Sequence, residues 1–390
     1  MSVPARRVET FGTTIFTEIN VLAQQYDALN LGQGKPDFDT PPDIVEHVVQ
    51  ALQAGRYNQY AFGPGTVSLR NAVAAHAGRF YNLDIDPNRG VIITSGATEA
   101  IFAAVLGLVD PGDEVIVIEP YYDSYVPNII MANATPVLVP LHSPTWTFDP
   151  EELRAAFTLK TRALIVNTPH NPTGRVFTRE ELSLIAELCI EHNVTVISDE
   201  AYEHLTYGSA QHIPIATLPG MFERTVTIGS AGKMFSATGW KIGWVYGPPA
   251  LVDGAGRAHQ FITFAVHHPT QEAVAYALAL PDSYYTGLRT MYTSKMQFLL
   301  SSLEGSGLQY APAEGTYFIM ADFSQVFEGT PMEFTRYLIR EVGVACIPLE
   351  TLYSPQHMHL GSKYVRFSFC KTDDVLRAVK PRLSKLVMLA

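Results

Sequence analysis

The chain predicts an α/β protein, with a mostly parallel sheet in a large domain flanked by helices and a smaller α+β domain after it. Three observations carry this. The length of 390 residues exceeds one ordinary domain. From about residue 44 to 280, β-branched apolar runs alternate with helix-period segments, as parallel sheets with crossover helices require. Beyond 280 that alternation stops, and a long helix precedes a mixture of strands and helices.

Taken in order, residues 15–25 read as a helix with Phe16, Ile19, Val21, Leu22 and Ala23 as its apolar positions. The following NLGQGKPDFDTPP is rich in turn formers, so residues 1–43 read as an arm lying over another part of the chain. Strands are expected at 91–94, 115–118, 162–166, 195–198, 225–228 and 242–246, with helices in the gaps, for example 99–108 and 179–191. These make up a large domain, 44–280. In the remainder, 281–390, a helix is expected near 284–303, strands at 316–321 and 364–369, and helices at 332–341 and 373–386. Pro381 should break or kink the last helix.

Composition excludes several classes. The apolar fraction of 47% and charged fraction of 17% suit a large core. A net charge of −11, with no basic run beyond Arg6–Arg7, argues against nucleic acid. Cys189, Cys346 and Cys370 are widely spaced and odd in number, which argues against a disulfide framework or a zinc site and fits a reducing compartment. With no signal-like or membrane-spanning apolar run, a cytoplasmic protein is expected.

In open parallel sheets ligands bind beyond the carboxyl ends of strands, so the residues following each run are the informative ones. Ser95-Gly96-Ala97-Thr98 opens a helix, which suits a phosphate, though a simple N-cap reads the same way. Tyr121-Tyr122 could cover a flat ring or pack as core. Asn167 to Gly174 offers Asn171 between two prolines, an ordinary turn as well as a fixed hydrogen-bonding group. Asp199, at the end of an apolar strand, is expensive to bury without a cation or proton donor; Tyr202 follows one turn later. Lys233 lies in a loop of small residues after 225–228, where an amine could reach a carbonyl and form an imine. A phosphate-binding P-loop fails here, because Thr227 and Met234 occupy the positions of its Gly and Ser/Thr. A Ser230-x-x-Lys233 acylation pair lacks its usual partners. One ligand satisfies all five strand ends: pyridoxal 5′-phosphate, with a phosphate, a basic ring nitrogen, a ring hydroxyl and an aldehyde.

At this point the chain resembles the fold-type I pyridoxal-phosphate aminotransferases of class I/II. The resemblance rests on NLGQGKPDF, SGATEAI, EPYYDSY, NTPHNPTGRVF, SDEAYEHLTY, SAGKMFSATGWKIGW and YVRFSF, in that family's order. It implies that Lys233 is the Schiff-base lysine and that Asp199 partners the pyridine nitrogen. It implies that Asn171 and Tyr202 bond the ring hydroxyl and that Tyr122 stacks on the ring. Ala97, Thr98, Ser230 and Lys241 become the phosphate set, and Tyr60 reaches the phosphate of the other subunit of a homodimer with shared active sites. Arg366 grips the substrate carboxylate, assisted by Gly34 and Asn171. His170 stands where many members carry Asn. No metal site is implied.

Within the family the chain is most similar to the methionine, glutamine, kynurenine and aromatic group, through LGQGKPDF and the run His259 to Phe264. Phe16, Tyr60, Tyr122 and Phe264 would give an aromatic side-chain pocket, which favours apolar or aromatic donors. The expected reaction is ping-pong transfer of the amino group of a large neutral or aromatic amino acid to a 2-oxo acid. The alternatives are a cysteine-conjugate or cystathionine β-lyase, and an N-succinyl-diaminopimelate aminotransferase, which needs a basic group for the distal carboxylate. A non-catalytic regulator is disfavoured by the acidic charge and the missing helix-turn-helix.

Overall fold

The computed structural model describes residues 4–9 and 11–386. Its large sheet has eight strands. Across the sheet they run Val91–Ser95, Ile242–Tyr246, Thr225–Ser230, Thr195–Asp199, Thr161–Asn167, Glu114–Glu119, Thr135–His142 and Thr147–Phe148. The five from Thr225–Ser230 to Thr135–His142 are mutually parallel. All six expected strands are present, but Ile242–Tyr246 is antiparallel to both neighbours. Only a short loop separates it from Thr225–Ser230, too short for the crossover that a parallel strand needs. The strand Thr135–His142 was not expected. Pro136 and Pro140 argue against a strand by their missing donors, and the sheet tolerates them near its edge.

Apolar clusters fill both faces of this sheet. On one face the helix Gly96–Leu108 packs against Pro249–Ile262 so closely that a Cβ on Gly107 would sit 2.2 Å from the Gly254 carbonyl oxygen. Gly243 does the same for the site. A Cβ there would lie 2.5 Å from Gly96 C, so its absence lets the start of that helix rest on the sheet.

The C-terminal part contains a four-stranded antiparallel sheet ordered Gln309–Tyr310, Phe318–Asp322, Tyr364–Ser368, Ile347–Pro348. Thr316, at φ +62°, delays the expected strand until Phe318. The expected helix at 332–341 splits into Pro331–Tyr337 and a π-helical turn Leu338–Val342. The long helix Asp282–Leu303 packs on Asp373–Leu383, which continues through Pro381 and ends two residues later. Near the N-terminus, helix Ile15–Gln25 has the expected bounds and is capped by Thr14, whose hydroxyl accepts from Thr17 N. Ile19 and Ala23 are buried, whereas Val21 is exposed. Leu29–Asn30 then pairs in parallel with Val344–Ala345. The N-terminal arm is thereby stitched to the C-terminal part, beside Arg366.

Candidate active site

A cavity of about 380 Å³ opens where these strand ends meet the N-terminal arm and the four-stranded sheet. Its lining includes Gly34, Ala97, Thr98, Tyr122, Asn171, Asp199, Tyr202, Ser230, Lys233, Lys241, Arg366 and Phe16, twelve of the fourteen residues expected at the site.

Lys233 sits in the one-turn helix Ala231–Met234 immediately after strand Thr225–Ser230. Its amine lies 3.4 Å from the Gly34 carbonyl oxygen and 5.7 Å from the centre of the Tyr202 ring. Burial pushes this amine down to about 8, toward the neutral, nucleophilic form. Asp199 ends the neighbouring strand. Burial raises its carboxyl, and the Tyr125 hydroxyl, donating to it at 2.5 Å, opposes that rise together with the Ala201 N–H. Asn167 donates to the Asp199 carbonyl and accepts from Asn171 N, locking two strand ends to each other.

At the far end, Gly96 is left-handed at φ +74°, and a Cβ on it would crowd the Lys241 amine at 3.3 Å. Lys241, itself at φ +54°, turns that amine to within 3.4 Å of the Thr98 hydroxyl. Thr98 in turn faces the Tyr122 hydroxyl at 3.5 Å. A helix N-terminus, a hydroxyl and an ammonium therefore converge beside Ser230.

Arg366 is fully buried on strand Tyr364–Ser368. One terminal nitrogen donates to Asn171 Oδ1 and the other to the Gly32 carbonyl, each at 2.8 Å. The Phe318 ring stacks 3.9 Å from the guanidinium carbon and Phe16 lies beyond at 5.2 Å. Burial draws the guanidinium down to about 10, still charged at neutral pH. Its Nε has no partner among the described residues. A buried, charged donor with nothing to bond points to an anionic ligand.

Tyr60 and Phe264 are not brought to this cavity in the single chain. Both are exposed, and they meet each other edge-to-face at 5.5 Å. Several lining or supporting residues escaped the sequence reading: Gln33, Lys35, Asp123, Tyr125, Tyr317 and Lys371. Tyr125 lies just past the conspicuous tyrosine pair. Lys371 is buried and donates to the Gln33 and Lys35 carbonyls at 3.2 and 3.0 Å, while Tyr317 donates to the Gly34 carbonyl at 2.8 Å. Only the tertiary fold shows that this loop is held from three sides.

The family profile described as "Aminotransferase class I and II" matches residues 26–381. The chain belongs to the class I and II aminotransferases. It is 45% identical over 388 residues to a probable N-succinyldiaminopimelate aminotransferase of Mycobacterium tuberculosis, covering 97% of this chain and 98% of that one. It is 40% identical to a kynurenine–oxoglutarate transaminase of Dictyostelium discoideum, covering 98% and 96%. The crystal structure of a methionine aminotransferase from Escherichia coli superposes with a TM-score of 0.94 at 36% identity, covering 99% of this chain and 100% of that one. The fold is accordingly that of a fold-type I transferase, and the protein is an aminotransferase enzyme whose family cofactor is pyridoxal 5′-phosphate.

The aminotransferase cavity fits that cofactor at both ends. The Gly96–Lys241 approach leaves a cradle of backbone N–H groups and an ammonium for a phosphate. The Asp199 carboxyl, held in place by the Tyr125 hydroxyl, offers an acceptor to a protonated ring nitrogen. Between them lies the Lys233 amine.

Proposed function

We propose that this aminotransferase takes the amino group from a large neutral or aromatic amino acid and passes it to a 2-oxo acid. Lys233, Asp199, Asn171, Tyr202, Tyr122, Ala97, Thr98, Ser230 and Lys241 would hold the cofactor. When bound, the cofactor supplies an electron-poor ring that takes up the electron pair left as the donor Cα loses its proton. Lys233, with its lowered proton affinity, holds and returns that proton. The unpaired Arg366 Nε, with the Gly34 and Asn171 region beside it, orients the donor carboxylate. Phe16 and Phe318 wall the cavity and keep water from the reacting carbon.

The observation that carries the donor class is the cavity lining. Among the described residues Arg366 is its one arginine, and Phe16, Phe318, Tyr122 and Tyr202 line the same cavity. A second carboxylate has no guanidinium to meet, which disfavours short dicarboxylates. One feature favours a second reading. Lys35 lies exposed on the cavity lining and could meet a more distant carboxylate, as an N-succinyl-diaminopimelate-type donor would require. Initial rates with methionine, glutamine, phenylalanine, kynurenine and N-succinyl-diaminopimelate, each against 2-oxoglutarate and against a monocarboxylate 2-oxo acid such as pyruvate, separate the two. Keto-acid formation from none of the first four would sink the main reading. Pyruvate and ammonia release from cysteine conjugates would mark the β-lyase alternative.

The same proposal includes a homodimer with shared sites, in which exposed Tyr60 and Phe264 serve the partner's cavity. A monomer in sedimentation velocity would end it. It also includes a cytoplasmic setting, supported by three buried free cysteines and checked by fractionation. Finally, it divides the chain into an arm at 1–43, a cofactor domain at 44–280 and a small domain at 281–390. The pairing of Leu29–Asn30 with Val344–Ala345 supports grouping the arm with the small domain, and limited proteolysis tests those boundaries.

A further inference from the structure

Away from the cavity, helix Val67–Tyr81 presents His76 to the segment that follows Asp199, which carries Glu203 and His204. The side chains of all three are at least nine-tenths buried, and their ligand atoms all lie within 4.8 Å of one another. His76 Nε2 is 2.9 Å from His204 Nε2 and 3.5 Å from Glu203 Oε2, and His204 Nε2 is 3.9 Å from the same oxygen. The point in their plane equidistant from three atoms so spaced lies about 2.0 Å from each, so a metal with bonds of about 2.2 Å sits just above that plane, at the long end of zinc–nitrogen and zinc–oxygen distances. We infer that His76, Glu203 and His204 bind a divalent transition metal of the zinc class, with the remaining position open to water.

The surroundings fit. Tyr81 donates to Glu203 Oε2 at 2.6 Å, which orients the carboxylate from outside the ligand set. Phe80 and Tyr285 pack against both imidazoles and wall the site. Two imidazoles select a transition metal over magnesium or calcium. One feature opposes binding. A metal on Nε2 keeps the His76 proton on Nδ1, which is buried and has no partner among the described residues. An unpaired donor weakens binding by roughly ten- to a hundredfold. The metal would tie helix Val67–Tyr81 to the segment bearing Tyr202, one residue before Glu203, and so act as a structural clasp outside the reaction.

The test uses holoenzyme stripped with a chelator, dialysed, and titrated with Zn²⁺ and Co²⁺. Expected are one metal per chain, Co²⁺ d–d bands in the visible, and a rise in melting temperature with added Zn²⁺. His76→Asn and Glu203→Gln should each lower affinity by at least about a hundredfold; the second keeps an acceptor for Tyr81 should the first fold poorly. No stoichiometric uptake by the wild-type chain, or uptake unchanged in either folded variant, overturns the assignment in favour of a simple histidine–histidine hydrogen bond.

Discussion

Arg366→Lys isolates the proposed carboxylate anchor from the rest of the site. In the native chain two of the guanidinium nitrogens are already committed, to Asn171 Oδ1 and the Gly32 carbonyl, and the third faces no protein acceptor. A lysine ammonium keeps the charge but not the fork, so it cannot hold both protein acceptors and a planar carboxylate in one geometry. The donor loses one charge-assisted hydrogen bond, worth about 1.5–3 kcal/mol. That corresponds to a fall of roughly 10- to 150-fold in kcat/KM, carried mainly by KM, because the carboxylate is bound alike before and during proton removal. Arg366→Ala should lose about 10²- to 10⁴-fold, because it also strips the anchor's charge and leaves both acceptors buried and unpaired. The assay is single-turnover amino transfer with saturating cofactor and no acceptor, at several donor concentrations. An unchanged donor KM in Arg366→Lys, with cofactor content intact, would refute the assignment: the carboxylate would dock elsewhere, and the unpaired Nε would need another explanation.

The other predictions concern the groups around that anchor. Lys233→Ala should retain no cofactor covalently after borohydride reduction, and an intact adduct by mass spectrometry would move the attachment point. Tyr125→Phe removes a donor that opposes the upward push of burial on Asp199, so its carboxyl should rise further and the acid limb of the pH–rate profile should move up; an unmoved limb would detach Asp199 from the rate. Lys371→Met frees the Gln33 and Lys35 carbonyls, and is expected to raise donor KM more than it lowers kcat, with faster hydrogen exchange across residues 32–37; unchanged exchange would show the loop is held without it. His170 is buried beside Thr173 and held down to about 3 by burial, below an ordinary 6.5, so folding excludes its charged form. Stability should be free of this penalty above about pH 6.5 and decline toward pH 3 by a few kcal/mol. His170→Asn should flatten that decline in acid denaturation curves, and an identical slope would remove His170 as its source.

The residues legible in advance share one property: each follows a strand whose apolar run announces it. Asp199, Lys233 and Asn171 stand out because each lies at or shortly after the carboxyl end of such a run, where open parallel sheets bind their ligands. Arg366 was legible by resemblance alone, since alternation along Tyr364–Ser368 fits a solvated face as well as a buried one; its full burial is decided by Phe318 and Gly32, almost fifty and more than three hundred residues away. The same distance hides Lys371, whose two acceptors lie on the N-terminal arm. The strand Thr135–His142 was masked by its prolines, which a sheet excludes only where it needs their missing donors. Tyr60 and Phe264 mark the opposite limit: within one chain they form an exposed pair away from the cavity, so the role proposed for them needs a second chain. Local pattern thus exposes the groups proposed to meet the cofactor's ring and aldehyde. The groups proposed to read the donor come from Phe16 and Gly34 near the N-terminus and from Phe318 and Arg366 in the C-terminal part, where sequence separation is large, and this is why reaction class is easier to read than substrate.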